Sequence, residues 1–119
     1  MSTLNNKSKK YVKSCPFCNH LLLKGKILKK TQNWLILKSY KPIVDPHLII
    51  IPFRHIRTLT ELEENEEREY FTIMRYAFKF CKKDPMLFIN GKKGQSVKHL
   101  HIHLFPNKYR PFEVETRLR

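Results

Sequence analysis

For its size, this chain of 119 residues is short of acid: 10 Asp and Glu stand against 24 Lys and Arg, a formal net charge of +14. Residues 1–30 hold eight lysines and no acid, while six of the ten acids fall between Glu61 and Glu69. Outside that acidic patch the surface is expected to be positive almost everywhere. Such a field attracts nucleotides, polyphosphates or nucleic acid and speeds their encounter. The bland alternative is a basic, AT-rich-genome style of composition with no polymer partner. Long apolar runs are missing too. None approaches the ~18 residues that cross a bilayer, so no membrane partner is expected. The stretch MSTLNNKSKKYVKSC is basic and lacks the apolar segment of a signal peptide. Three cysteines, an odd number, argue against a secreted disulfide framework and for a soluble protein in a reducing, cytoplasmic setting. No internal repeat or low-complexity linker is visible.

What is present suits one domain. Hydrophobic content of 41% with fourteen Phe, Tyr and Trp residues marks a globular chain large enough for a single core. Residues 1–13 are polar and lysine-rich, an expected basic mobile arm, leaving 14–119 as the domain. Leu21–Lys30 and Trp34–Ser39 read as two strands around the turn-like Thr31-Gln32-Asn33. His47–Ile51 reads as a buried strand closed by Pro52. A helix follows: Thr60 and Glu63 have capping-box spacing, and Tyr70, Phe71, Ile73, Met74, Ala77, Phe78 and Cys81 make a wide apolar stripe. Cys81 is thus expected to be buried packing. Lys82 and Lys83 close the last turn, and Pro85 forbids continuation. Met86–Asn90 is a short strand. Five strands and one long helix, with several strands adjacent in sequence, predict an antiparallel α+β sheet.

Two clusters carry chemistry. In Gln95–Phe105, QSVKHLHIHLF, His99, His101 and His103 alternate with Leu100, Ile102 and Leu104. On a strand that spacing puts all three imidazoles on one face, spread over about 13 Å. They can be a metal site, a catalytic row acting on phosphate, or solvated residues without a role. The flanks favour phosphate: Gly91 and Gly94 bracket Lys92 and Lys93, and Gln95 and Ser96 add donors. Imidazole is also a fitting nucleophile toward phosphorus, because a hydrogen bond at one ring nitrogen fixes which nitrogen attacks. The second cluster is Cys15-Pro16-Phe17-Cys18. Its thiols have the spacing of a zinc knuckle, of a redox dithiol or of a chance pair. No βαβ unit is visible to support the redox reading.

The run Gly94-Gln95-Ser96-Val97-Lys98-His99-Leu100-His101-Ile102-His103-Leu104-Phe105-Pro106 resembles the signature of the histidine-triad (HIT) family of nucleotide hydrolases and transferases. Pro46-His47-Leu48-Ile49-Ile50-Ile51-Pro52-Phe53-Arg54-His55-Ile56 is similar to that family's second motif, and Cys15–Cys18 to the metal-binding start of its zinc-carrying members. The resemblance implies a HIT-like five-stranded antiparallel sheet with one long helix and short helical segments, commonly a homodimer. It implies His101 as the nucleophile that takes the α-phosphate as a nucleotidyl-histidine, and His103 as the contact to phosphate and departing group. The resemblance also implies that His47, in the second motif, would lie beside the ligand. Asn90, Gly94, Gln95 and Ser96 would hold phosphate oxygens. Cys15, Cys18, His55 and His99 would hold a structural zinc. Water would then release a nucleoside monophosphate from a phosphoramidate, acyl-adenylate or dinucleoside polyphosphate.

Some positions depart from the family pattern. Ser39 stands where Asp or Asn usually grips the ribose hydroxyls, and Pro46 replaces the glycine before His47. The short Gly91–Gly94 loop carries two lysines the pattern does not require, suited to a longer polyphosphate or a nucleic-acid end. A competing expectation, resting on the charge, is a basic zinc-bearing module that binds nucleic acid and removes adenylate from its ends or merely binds.

Overall fold

The computed structural model describes residues 11–39, 47–81, 85–95 and 97–106. Most of the basic arm, Pro46, Lys82, Lys83, Ser96 and the tail from residue 107 lie outside the described residues. Five strands form one sheet: β1 (Ile27–Lys30), β2 (Trp34–Lys38), β3 (Leu48–Pro52), β4 (Pro85–Ile89) and β5 (Ile102–Pro106). Their order is β1-β2-β3-β5-β4, and every neighbouring pair is antiparallel. One long helix, α1 (Glu64–Cys81), and two 3-10 turns, Leu59–Glu61 and Lys92–Gly94, complete the described elements. None of the described helices is long and apolar enough to cross a membrane.

The strands β2 and β3 are apolar on both sides because both sides are covered. Trp34, Ile36, Leu48 and Ile50 meet Ile73, Met74, Ala77 and Cys81 of the helix, joined by Ile102 and Leu104 of β5. The alternate residues Leu35, Leu37, Ile49 and Ile51 pack with Cys15, Phe17, Cys18 and Leu23 on the opposite face. Alternation therefore assigns β5 in advance of any ligand: Ile102 and Leu104 go to the helix, and His103, beside Ile49 in the register, goes to the face of the cysteines.

Four sequence expectations shift. The first strand is shorter than Leu21–Lys30. Residues 19–26 coil through successive i→i+3 turns and Gly25 takes a left-handed φ of 88°, so only Ile27–Lys30 extends. The capping box belongs to Thr58 and Glu61, on the 3-10 turn, not to Thr60 and Glu63. On the helix, Ile73, Met74, Ala77 and Cys81 are buried as expected, but Phe71 is 72% exposed and Phe78 also faces solvent. Tyr70 packs half-buried against the core as expected, and Glu66, unexpectedly, is buried. The histidine run, finally, is not one strand, because regular pairing begins at Ile102.

Buried Glu66 is tolerated because it is fully paired. Arg54 donates from Nε to Oε2 and from Nη2 to Oε1, both at 2.8 Å, and the Glu63 amide donates to Oε1 at 2.7 Å. The same turn of helix accepts the Trp34 indole N–H at its Glu66 carbonyl, 3.1 Å away. Glu69 Oε1 accepts from Thr31 Oγ1 (2.7 Å) and from the Asn33 amide (2.8 Å). The helix is thereby tied to the β1–β2 turn.

Candidate functional site

The cysteine turn closes on itself. The Cys18 and Asn19 amides donate to the Cys15 carbonyl at 3.1 and 3.2 Å, which turns both thiols to one side. His55, from the loop after β3, and His99, from the bend before β5, meet them there. The four ligand atoms of Cys15, Cys18, His55 and His99 lie within 4.8 Å of one another. Sulfur-to-Nδ1 distances are 3.5 Å from Cys15 to His99, 3.4 Å from Cys18 to His55 and 3.5 Å from Cys18 to His99. Zn–S bonds of about 2.3 Å and Zn–N bonds of about 2.0 Å at tetrahedral angles separate S from N by about 3.5 Å. The donor set therefore fits a four-coordinate zinc-type ion.

The surroundings are tuned the same way. His99 Nε2–H donates to the Pro52 carbonyl at 2.9 Å, which leaves Nδ1 as a lone-pair ligand facing the thiols. The Val12 amide donates to Cys18 Sγ at 3.4 Å. Burial pushes the Cys18 thiol up to about 11 and holds His99 at about 4, so the imidazole stays neutral while the thiol needs a metal to displace its proton. A cavity of about 360 Å³ lined by Cys15, His55, Val97 and Lys98 opens onto this cluster.

The other imidazoles form a second group. His101 Nδ1–H donates to the His99 carbonyl at 2.7 Å; a carbonyl only accepts, so the proton is on Nδ1 and the lone pair on Nε2. His47 Nε2 and His103 Nδ1 are 2.8 Å apart, so one ring donates to the other. The His101 and His103 rings lie 4.9 Å apart at 76°. His47, His101 and His103 are all buried. Burial is the first cause of their depressed basicity, with the neighbouring imidazoles adding at two of them: His47 falls to about 4, His103 to about 3, and His101 is also lowered. All three are neutral near pH 7. Phe17, between the two cysteines, turns its ring edge-on to both His101 (5.2 Å) and His99 (5.8 Å), so one aromatic side chain touches both groups.

The remaining expected site residues are placed less uniformly. Ser39 is buried at the end of β2, where its amide donates to the His47 carbonyl at 3.0 Å. Asn90 stands one residue past the Ile89–Ile102 pair, on the rung level with His101. Gly94 packs on it: a Cβ at Gly94 would lie 3.2 Å from Asn90 Oδ1. Gln95 is held by Arg57, donating Nε2–H to its carbonyl at 2.7 Å and accepting its Nε–H at 3.1 Å. Ser96 lies outside the described residues. Arg57 also donates to the Lys92 carbonyl at 2.8 Å, so it braces the glycine loop. Sequence reasoning passed over Arg57, Pro52 and Phe17: the first two act through backbone contacts that no periodicity announces, and only the position of Phe17 between the cysteines marked it.

Fold and site together define an α+β protein with a neutral histidine row on one sheet face, beside a closed Cys2His2 cluster. The HIT domain profile matches residues 23–110. Among curated proteins, the bis(5'-adenosyl)-triphosphatase of Saccharomyces cerevisiae (strain ATCC 204508 / S288c) is 29% identical over 98 residues, 76% of this chain and 48% of that protein. The chain spans about half the length of that relative. Among solved structures, a HIT family hydrolase from Clostridium thermocellum aligns at TM-score 0.69 and 28% identity, covering 84% of this chain and 96% of that one. A histidine triad protein from Clostridium difficile shares the fold at TM-score 0.69 and 21% identity, over 84% and 96% of the two chains. This chain belongs to the HIT domain family.

Proposed function

We propose that the chain is a nucleotide hydrolase that cleaves at the α-phosphate through a nucleotidyl-histidine. The observation that carries this reading is the Nδ1–H bond from His101 to the His99 carbonyl, which leaves Nε2 of a neutral imidazole as the nucleophile. Nε2 forms a bond to phosphorus as the bond to the leaving group breaks, and the leaving group departs with the electron pair. Water then attacks the same phosphorus, the P–N bond breaks, and a nucleoside monophosphate leaves with His101 restored. With His47 Nε2–H donating to His103 Nδ1, His103 carries its own proton on Nε2 and offers that N–H to the developing charge. The substrate class that this chemistry takes is a nucleoside phosphoramidate, an acyl-adenylate or a dinucleoside polyphosphate, the last being the kind named for the yeast relative.

Asn90, Gly94, Gln95 and Ser96 hold phosphate oxygens in this reading, and Ser39 and His47 flank the nucleotide. The zinc held by Cys15, Cys18, His55 and His99 is structural, since four protein ligands leave no open position. The thiolate ligands suit a reducing, cytoplasmic compartment. Leu87 and Ile89 on the edge strand β4, with Phe71 and Phe78 on α1, are exposed apolar surface that suits a homodimer. A second reading, favoured by the +14 charge, is that the adenylate removed stands at a nucleic-acid end. AMP release from diadenosine triphosphate should fall on the order of 10³-fold or more in His101→Ala. Equal rates in variant and wild type would remove His101 from the chemistry.

A further inference from the structure

A cavity of about 680 Å³ lies beside the cysteine turn, with Cys18 and Asn19 in its wall. None of His47, His101 and His103 lines it, so it is not the catalytic row. Its wall is of two kinds. Tyr11, His20 and Phe53 give aromatic surface, with the His20 and Phe53 ring centroids 5.2 Å apart at 61°. Lys24 and Lys30 are exposed cations, and Lys30 Nζ stands 5.9 Å over Phe53. Arg54 also lines the cavity, but its guanidinium is committed to Glu66 and adds no free charge. No carboxylate is among the described lining residues.

That combination has a chemical meaning. Aromatic rings accept the face of a base whatever its identity, and lysines beside them meet the neighbouring phosphate. The volume lies within the ~300–1,000 Å³ of small-ligand sites. A chain with 24 basic and 10 acidic residues also draws polyanions to every such opening. We propose that this cavity is a second binding site, which takes a nucleobase and its adjoining phosphate as presented by single-stranded nucleic acid. The site stands on its own residues and does not depend on the hydrolase reading.

The test uses the metal-loaded protein and a fluorescent oligothymidylate, read by anisotropy over a salt series. The Lys24→Ala/Lys30→Ala double variant should bind more weakly and flatten the slope of log affinity against log salt by about 1.4, two contacts at about 0.7 each on a single strand. Phe53→Leu keeps apolar bulk without the ring, and should weaken binding about fivefold or more. The Arg75→Ala/Lys79→Ala variant removes the same charge from exposed positions on α1 and should bind like wild type. If it weakens binding equally, the attraction is diffuse charge and the site is overturned. No binding at low salt, or thymidine monophosphate competing as well as the oligomer at equal phosphate, also overturns it. Diadenosine triphosphate turnover should stay unchanged in the lysine variant, whether or not the hydrolase assignment holds.

Discussion

The division of labour within His99, His101 and His103 is set by which ring nitrogen each backbone carbonyl takes. His99 gives Nε2–H to Pro52 and turns Nδ1 to the cysteines, whereas His101 gives Nδ1–H to His99 and keeps its lone pair on Nε2. The spacing of two was legible in the sequence, and so was the cysteine pair. The tautomers were not, because both carbonyl acceptors are set by how the chain bends before β5. The His47–His103 pair makes a pH prediction at this scale. Both rings are less basic folded than unfolded, about 4 and 3 against an ordinary 6.5, so the unfolded chain binds more protons between those values. Their contribution to stability is complete above about pH 6.5 and declines as pH falls through 4 toward 3. Urea unfolding midpoints should drop along that window, with a shallower drop in His103→Asn. An unchanged slope in that variant would assign the loss to other groups.

At the scale of elements, strands buried on both faces were the most legible, since β2 and β3 read as unbroken apolar runs. The Leu21–Lys30 segment misled for the same reason: Leu21 and Leu22 are apolar yet exposed, and hydrogen-bonded turns replace an extended chain up to Lys26. On α1, Phe71 and Phe78 looked like core by composition, but the face was decided by Glu66, whose partner Arg54 sits twelve residues earlier in the loop after β3. Long-range pairing of that kind is invisible to periodicity. Glu66→Ala leaves half-buried Arg54 with only the longer contact to exposed Glu63 at 3.8 Å and should cost about 2 kcal/mol. Glu64→Ala removes only the exposed pair with Arg68 and should cost less than about 0.5 kcal/mol. Urea denaturation with unchanged m-values checks both, and equal losses would contradict the assigned role of Glu66.

For the molecule as a whole, the Cys2His2 cluster joins the N-terminal turn, the exit of β3 and the approach to β5, segments up to 84 residues apart. Its loss should therefore loosen the fold before it touches the chemistry. Metal analysis should give about one zinc per chain, and chelation or Cys15→Ser should lower Tm by several degrees. A chain without zinc, equally stable in chelator, would refute the structural site. Family and sheet were readable from three motifs in order along the chain; the cavity beside the cysteine turn was not, because its walls come from three segments that only the fold assembles. The covalent use of His101 can be read directly. Rapid acid-free quenching of the enzyme with diadenosine triphosphate, followed by peptide mass spectrometry, should find one adenylate on the peptide of His101 and none in His101→Ala. An adenylate on any other side chain, or steady turnover by His101→Ala, would rule out His101 as the nucleophile.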